Sequence, residues 1–444
     1  MTSRSNTVIK EKPPHPSFGE AFQFWLKLGF ISFGGPAGQI GIMHEFLVEK
    51  KRWISESRFM HALNYCMILP GPEAQQLATY IGWLLHGVRG GITAGILFIF
   101  PGLLILLVLS VLYVTFGKLA LVTAFFYGLK PAVIAIILVA LIRIGLKSLR
   151  TWLHYVVAIA SFVLIFFFNV SFPLIVFAAI VLGWAMTRAF PKFFPARGKV
   201  DFRENESAFL INSLSPSKDQ SPTFTSILMK IGVAVALWGL PFLFYGLLSP
   251  EFSFWAGLSN FFTKAAFVTF GGAYAVLPYV AQISVEKFHW LSELQMIDGM
   301  ALGETTPGPL ILVLVFVGFM AGYHHHGNSI LAGTAGLFVT SYYTFLPSFL
   351  FILIGAPLVE RTKDSEQLKQ ALSIVTAAVV GVILNLTLYF GKSVLLVNGE
   401  LQWIPIGWTL VSFAALYKLK INMVVWILVS GIAGLLFHLA FEVA

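Results

Sequence analysis

The chain has 444 residues, of which 57% are hydrophobic and 11% are charged. An average soluble protein has roughly 25% charged residues, and a surface with so few charges would expose large apolar patches. The mean hydropathy of +0.83 therefore places most of the chain in a lipid bilayer and excludes soluble enzymes and nucleic-acid binders. The net charge of +9 fits the excess of Lys and Arg that membrane proteins carry in cytoplasmic loops.

Long apolar runs, each near the roughly 20 residues that cross a bilayer, divide the chain into two blocks. We expect a cytoplasmic tail (1–17), a first transmembrane repeat (18–187), a hydrophilic cytoplasmic linker (188–223) and a second transmembrane repeat (224–444). The apolar runs lie at 18–43, 59–83, 91–115, 119–142, 152–169, 171–187, 226–248, 253–280, 296–322, 329–357, 370–390, 402–417 and 421–441. The predicted fold class is an all-α polytopic membrane protein.

The two blocks are related by a shift of 237 positions. This shift places Phe33-Gly34-Gly35 on Phe270-Gly271-Gly272, and it places Pro70-Gly71-Pro72 on Pro307-Gly308-Pro309. Two triplets in one register indicate an internal duplication, which is typical of secondary transporters.

The positions of Lys and Arg predict that the repeat is inverted. If 18–43 and 59–83 are re-entrant hairpins that turn at their Gly and Pro residues, the basic segments 44–58 and 143–151 and the linker share one face of the membrane. The single crossing at 226–248 then inverts the second repeat, so that the poorly basic loop 281–295 is external. This arrangement satisfies the positive-inside rule.

The triplets predict broken helices at the substrate site. Glycine permits tight turns and proline ends a helix, and the helix starts beyond such breaks present unpaired N–H groups that suit anions. We therefore expect substrate contacts from both copies of the triplets and from polar residues beside them. These residues are Phe33, Gly34, Gly35, Pro36, Pro70, Gly71, Pro72, Gln75, Gln76, Gly271, Gly272, Thr305, Thr306, Pro307, Gly308 and Pro309.

Ionisable residues inside apolar runs are costly and usually functional. Lys27 and Lys264 are equivalent in the repeat and could hold a divalent anion from both sides, although snorkelling to the interface explains them equally well. Glu73 follows the first Pro-Gly-Pro and Glu304 precedes the second. We expect these two carboxylates to carry protons during transport.

Other polar residues have simpler explanations. Lys130, before Pro131, is either a cation of the pathway or a neighbour for a carboxylate, and interfacial solvation accounts for the repeat-equivalent His61 and Asp298. Consecutive imidazoles such as His324-His325-His326 point in different directions, so we expect no metal site. The sequence has no phosphate-binding loop or hydrolase motif, and we expect neither a cofactor nor catalytic residues.

The residues around the triplets resemble the signatures of the chromate ion transporter (CHR) family in its long, two-domain form. The resemblance rests on the run from Gly29 to Pro36, on the run from Pro70 to Ala78, and on the second copy of both triplets. It implies efflux of chromate from the bacterial cytoplasm through the inner membrane, driven by the proton motive force, with sulfate as a mimic of the substrate. Ala273 replaces Pro36 and Leu310 replaces Glu73 in the second copy, so the halves are not interchangeable.

The predicted function is therefore secondary active export of chromate, which would give chromate resistance. The broken helices and paired lysines predict an anion transporter, but they do not select chromate over sulfate or another oxyanion. An anion channel is one alternative function. An intramembrane enzyme that uses Glu73 and Glu304 as an acid–base pair is another. The sequence leaves open whether the chain forms a homodimer.

Overall fold

The structure is a computed structural model that describes residues 12–189, 206–212, 224–359 and 366–441. The predicted tail (1–17) and linker (188–223) therefore lie mostly outside the described residues. The described chain is largely helical, as lipid requires, because a helix satisfies its own backbone hydrogen bonds. Seven of the described helices are long and apolar enough to cross a membrane, which makes this a multi-pass membrane protein.

The helices follow one another in two similar series. They are α1 (Phe18–Ile31), α2 (Gly35–His44), α3 (Glu56–Cys66), α4 (Glu73–Phe116), α5 (Ala120–Ser148), α6 (Trp152–Phe168), α7 (Phe172–Ala189), α8 (Phe224–Leu248), α9 (Phe252–Phe267), α10 (Ala273–Gln282), α11 (Glu293–Thr305), α12 (Val313–His325), α13 (Ile330–Val359), α14 (Glu366–Leu395), α15 (Trp403–Phe413) and α16 (Met423–Phe441). A short hairpin of β1 (Leu396–Val397) and β2 (Glu400–Leu401) lies between α14 and α15.

The predicted hairpin at 18–43 is confirmed. α1 ends before Gly34, α2 begins at Gly35, and the helix continues as a π-helical turn to Lys50. The Lys51 ammonium lies 2.9 Å from a carboxylate oxygen of Glu20 near the start of α1, so the chain has returned to the end at which it began. The second half repeats this geometry: the ring centroids of Phe24 and Trp53 are 5.2 Å apart, and those of Phe261 and Trp290 are 5.4 Å apart.

The second predicted hairpin, at 59–83, is also confirmed. α3 and the first arm of α4 (73–85) are joined through the Pro-Gly-Pro triplet, and α4 is broken again at His86 and Gly87. The His86 ring lies 3.0 Å from the carbonyl oxygen of Pro16, just before α1. In the second half, His324 contacts the carbonyl oxygen of Trp290 at 2.7 Å, so α12 returns in the same way.

The inverted repeat is visible in the packing of α4 against α13. The second arm of α4 (88–116) is equivalent to 325–353 in the repeat. Gly91 lies against Leu353, and Gly95 lies against Phe349. The partners fall by four residues as the glycines rise by four, so two equivalent helices run antiparallel and the two halves have opposite directions.

The halves also exchange their last helices. α16 of the second half packs on α5, and α7 of the first half packs on α14. In the same way α6 packs on α14, and α15 packs on α5. The core therefore lies between the halves, because α5 and the equivalent α14 are each covered by helices of the other half.

Part of the predicted linker is ordered against the first half. Ile211 forms an isolated parallel bridge with Ile54, and the Ser55 N–H donates to the carbonyl oxygen of Ile211 at 2.9 Å. Ala208 and Phe209 are buried. Residues 206–212 therefore pack against the loop at 52–58. The polar composition of the linker did not predict this contact.

Candidate functional site

The broken helices of the two halves are joined to each other by backbone hydrogen bonds. The Gly71 N–H donates to the carbonyl oxygen of Thr269 at 2.7 Å, and the Gly308 N–H donates to the carbonyl oxygen of Ser32 at 2.8 Å. Positions 71 and 308, and positions 32 and 269, are equivalent in the repeat. The Pro-Gly-Pro break of each half is thus tied to the Phe-Gly-Gly break of the other half.

Both pairs of breaks lie beside the contact between α4 and α13. A Cβ atom at Gly71 would collide with the Ser348 hydroxyl of α13, and a Cβ atom at Gly102 of α4 would collide with the carbonyl oxygen of Pro307. The contact of the two inverted helices therefore brings all four breaks to one region, as expected for a substrate site between inverted repeats.

The glycines of the breaks adopt backbone conformations that other residues avoid. The φ angles are +88° and +68° at Gly34 and Gly35, and +77° and +99° at Gly271 and Gly272. They are +124° at Gly71 and +95° at Gly308. The predicted turns at the triplets are therefore confirmed, because L-residues with a side chain rarely adopt positive φ.

Helix starts at three of the breaks have no side-chain cap within the described chain. α2 begins after Gly34 with Pro36 in its first turn, α4 begins after Pro72, and α10 begins after Gly272. The first N–H groups of a helix have no intrahelical acceptor. These starts can therefore bind an anion together with the positive end of the helix dipole.

Three buried glutamine side chains of the first half lie close to the breaks. Gln76 Nε2 donates to the carbonyl oxygen of Pro70 at 2.8 Å, and Gln75 Nε2 donates to Thr79 Oγ1 at 3.1 Å. Gln39 Nε2 donates to the carbonyl oxygen of Gly308 at 2.5 Å and so joins α2 to the other half. Sequence reasoning missed Gln39, although its counterpart Val276 is apolar and the difference was visible. Gln39 Nε2 also donates to the carbonyl oxygen of Ser32 at 3.4 Å, whereas Gln75 and Gln76 Nε2 each carry a second N–H for a further acceptor.

The two predicted carboxylates have different surroundings. Glu304 is 6% exposed, and its Oε1 accepts a hydrogen bond from the Tyr274 hydroxyl at 2.5 Å. Tyr274 lies two residues after Gly272, so this bond joins the end of α11 to the Phe-Gly-Gly break of its own half. Glu73 is half-buried at the start of α4, and the described residues contribute no hydrogen-bond or ion-pair partner to it.

The hydroxyls of the two predicted threonines are turned towards their own helix. Thr305 Oγ1 donates to the carbonyl oxygen of Leu302, and Thr306 Oγ1 donates to that of Gly303, both at 2.8 Å. Thr306 is buried and Thr305 is half-buried. Both lie beside Pro307-Gly308-Pro309, where the chain is buried throughout.

The two predicted lysines lie on α1 and α9, the helices that precede the Phe-Gly-Gly breaks. Lys27 and Lys264 are exposed, and the Lys27 ammonium lies 5.8 Å from the centroid of the Phe46 ring. Two other cations, both on α5, have charges that act on the site. Lys147 acts on Glu73, and Arg143 acts on Tyr274. Their spacing of four residues puts both on one face of a helix, which is the signal that could have identified them.

The three consecutive histidines, His324, His325 and His326, contact different residues. His325 lies 2.5 Å from a carboxylate oxygen of Glu251 and stacks on Phe254, while His326 packs against Trp255. Among residues 12–189, 206–212, 224–359 and 366–441, no three His, Cys, Asp or Glu side chains are grouped as metal ligands would be.

An inverted repeat whose broken helices meet at the contact between its halves defines a membrane transporter. The family model described as "Chromate transporter" matches residues 19–184 and 256–435. The chain therefore belongs to the chromate transporter family, and both halves take part in the match.

Relatives of known name extend over nearly the whole chain. A chromate transport protein of Pseudomonas aeruginosa is 31% identical over 97% of this chain and 95% of its own length. A chromate transport protein of Cupriavidus metallidurans is 30% identical over 85% of this chain and 84% of its own. A probable chromate transport protein of Synechococcus elongatus is 28% identical over 95% of this chain and 97% of its own length. No solved structure matches the chain.

Proposed function

We propose that this protein exports chromate from the cytoplasm through the inner membrane of a bacterium, in exchange for protons, and so gives resistance to chromate. The observation that carries the proposal is the exchange of hydrogen bonds between the breaks of the two halves, from Gly71 to Thr269 and from Gly308 to Ser32. A site built from both halves can open to either side when the halves rock against each other.

The binding step uses backbone N–H groups and cations. Arg143 and Lys147 raise the local concentration of a divalent anion at the end of α5. The helix starts at Gly35 and Glu73 then replace part of its hydration shell, with help from the free N–H groups of Gln75 and Gln76. Lys27 and Lys264, which are exposed, act at the approaches to the site. Sulfate has the same shape and charge as chromate and competes with chromate for the site.

The return step uses the carboxylates. Chromate leaves on the outside, and Glu304 or Glu73 then takes a proton. An ionised carboxylate inside a membrane is costly, and its neutralisation allows the empty transporter to return with the proton. Tyr274 holds the Glu304 carboxylate at the break and positions it for this step.

Proteoliposomes test this cycle. Uptake of labelled chromate should rise when a pH gradient is imposed, and unlabelled sulfate and molybdate should compete with it. Glu304→Gln should remove the stimulation by the gradient, and Glu73→Gln should reduce it, because Glu304 is the more buried carboxylate. Glu45→Gln is the matched control, because Glu45 is half-exposed in a surface ion pair with Lys50 and such pairs contribute at most about 1 kcal/mol. Unchanged stimulation in both test variants would contradict the carboxylate assignment.

A channel and a transporter differ in one measurement. A channel would pass chromate in unitary currents that do not depend on the pH gradient. The two buried backbone hydrogen bonds between the halves favour a transporter, because a pore along the contact between the halves would break these bonds.

A further inference from the structure

A second buried charged cluster joins the halves away from the breaks. Asp298 of α11 is 5% exposed, and its Oδ2 accepts a hydrogen bond from the Tyr113 hydroxyl of α4 at 2.9 Å. Its Oδ1 lies 3.7 Å from the Lys130 ammonium of α5. The expectation that interfacial solvation explains Asp298 is therefore wrong, and Lys130 is the neighbour of a carboxylate.

The cluster connects one half to the other. Asp298 belongs to the second half, whereas Tyr113 and Lys130 belong to the first. The repeat does not reproduce it, because the counterparts of Asp298 and Tyr113 are His61 and Leu350. A charge pair that is present on one side of the pseudo-twofold axis only is not required by the shared backbone architecture.

The ion pair between Lys130 and Asp298 is longer than an ion pair that only stabilises the fold would be. A charge-assisted N–H···O bond is usually about 2.7–2.9 Å long, whereas the Lys130 and Asp298 atoms are 3.7 Å apart. Asp298 Oδ1 is buried and has no hydrogen-bond partner among the described residues. A buried ion pair stabilises a protein only when its geometry is close and its other polar atoms are satisfied. The contact of Lys130 with Asp298 is longer than a charge-assisted bond, and only Oδ2 is satisfied by a hydrogen bond, so Oδ1 can accept a proton.

An open cleft lies at the start of the same helix. It has a volume of about 600 Å³, and its lining includes His289, Ser292, Glu293 and His324. Asp298 lies five residues beyond Glu293, or about 7.5 Å along α11 at 1.5 Å per residue. Glu304 lies about 9 Å further along the helix. α11 thus carries two buried carboxylates in series between the cleft and the Pro-Gly-Pro break.

We propose that Asp298 is a proton-binding site and that its pairing with Lys130 is a latch between the two halves. A proton from the water of the cleft binds Oδ1, the carboxylate becomes neutral, and the attraction that joins α11 to α5 is lost. Lys130 keeps its charge and Tyr113 keeps its proton, so the cluster gains one positive charge. The empty transporter can then return, and the proton leaves on the other side.

This proposal rests on the proton exchange given under Proposed function. The ionisable groups that face Asp298 are Lys130, through its charge, and Tyr113, through its hydrogen bond. They come from α5 and α4, which both pack against α11. Glu304 keeps its place at the break, whereas Asp298 controls whether the halves can move without a proton.

Removal of both charges separates a latch from a structural pair. Asp298→Asn with Lys130→Gln leaves no unpaired charge, so this double variant should fold. A latch predicts that chromate-for-chromate exchange continues while the ratio of uptake with and without the pH gradient falls to about 1, since the coupling free energy is gone. The matched control is Glu20→Gln with Lys51→Gln, which removes an ion pair at the surface and should leave this ratio unchanged.

The Tyr113→Phe variant provides a second measurement that keeps both charges. It removes one hydrogen bond from the ionised carboxylate, so protons should bind at a higher external pH, with half-maximal flux displaced upward by about one unit. An unchanged midpoint would overturn the proposal.

The remaining outcomes are distinct. If the double variant keeps the stimulation of the wild type, the pair only balances charge, and the latch is overturned while the role of Glu304 stands. If the wild type shows no stimulation by a pH gradient, both the proton exchange and the latch are overturned. If the double variant loses the stimulation but retains chromate-for-chromate exchange, the result supports the latch.

Discussion

The two halves share a backbone but differ in their side chains and in their exposure. At the first-half breaks Gly34, Ala37 and Met67 are exposed and Glu73 is half-buried. At the second-half breaks Gly272 and Leu310 are buried, and so is Glu304. The two halves therefore have equivalent turns at their breaks but different side chains, so each half has its own chemistry.

The loops at the ends of the re-entrant hairpins differ in the same way. The first-half loop at 52–58 is covered by residues 206–212. The equivalent second-half loop, at 289–295, borders an open cleft of about 600 Å³. One loop is held by another segment of the chain, whereas the other is accessible to solvent, and the proposed proton site lies behind the accessible one.

The largest expected effect distinguishes the two Pro-Gly-Pro breaks. Gly71→Ala forces a side chain onto a φ of +124° and into the Ser348 hydroxyl. Gly308→Ala has a φ of +95°, but its nearest neighbours, Leu312 Cδ1 and the Phe98 oxygen, would be 3.2 and 3.4 Å away. Strain at such positions costs about 1–3 kcal/mol, and overpacking adds a similar amount. We expect Gly71→Ala to lower the thermal stability of the purified protein clearly more than Gly308→Ala.

A glycine in α9 provides the control for this pair. Gly257 lies in α9 with no atom within 4 Å of an added Cβ, so Gly257→Ala should be neutral or slightly stabilising. Equal melting temperatures for the Gly71 and Gly308 variants would show that the breaks are equivalent and would contradict the asymmetry.

A smaller effect is expected where the linker covers the first-half loop. Ile211→Pro removes the N–H that donates to the carbonyl oxygen of Trp53 at 3.0 Å, which should cost about 1–3 kcal/mol because that oxygen loses its partner. Limited proteolysis should then cut within 206–212, whereas Ile211→Val, which keeps the N–H, should remain resistant. Equal resistance of both variants would mean that the segment is not held by this pairing.

The smallest effect is expected at the paired lysines. Lys27 and Lys264 are both exposed, so each contributes long-range attraction more than direct binding. Lys27→Ala and Lys264→Ala should raise the KM for chromate by about two- to threefold and leave the maximal rate unchanged. The rise should shrink at high salt, because salt screens exposed charges. A loss of maximal rate in either variant would place that lysine in the binding site itself.

Much of the fold could be predicted from the sequence because glycine, proline and charge act locally. The hairpins followed from Gly34-Gly35 and Pro70-Gly71-Pro72, and the inversion followed from the distribution of Lys and Arg in loops. The pairing of Gly71 with Thr269 could not be predicted, because it joins residues far apart in the chain and depends on how α4 crosses α13.

The candidate site was less accessible to sequence reasoning. Lys27 and Asp298 have the same local signal, an ionisable residue in an apolar run, yet one is exposed and the other is buried beside Lys130. Which face of a short helix is covered depends on its neighbours, and single-sequence periodicity does not identify them. Comparison of equivalent positions, such as Asp298 with His61, identifies the asymmetry but not the partners.

The most direct test of the central claim is chromate uptake by proteoliposomes with and without an imposed pH gradient, for the wild type and for Glu304→Gln. We expect the gradient to stimulate uptake by the wild type, and we expect the variant to lose that stimulation. The claim would be contradicted by wild-type uptake that does not respond to the gradient, or by a Glu304→Gln protein that responds as the wild type does.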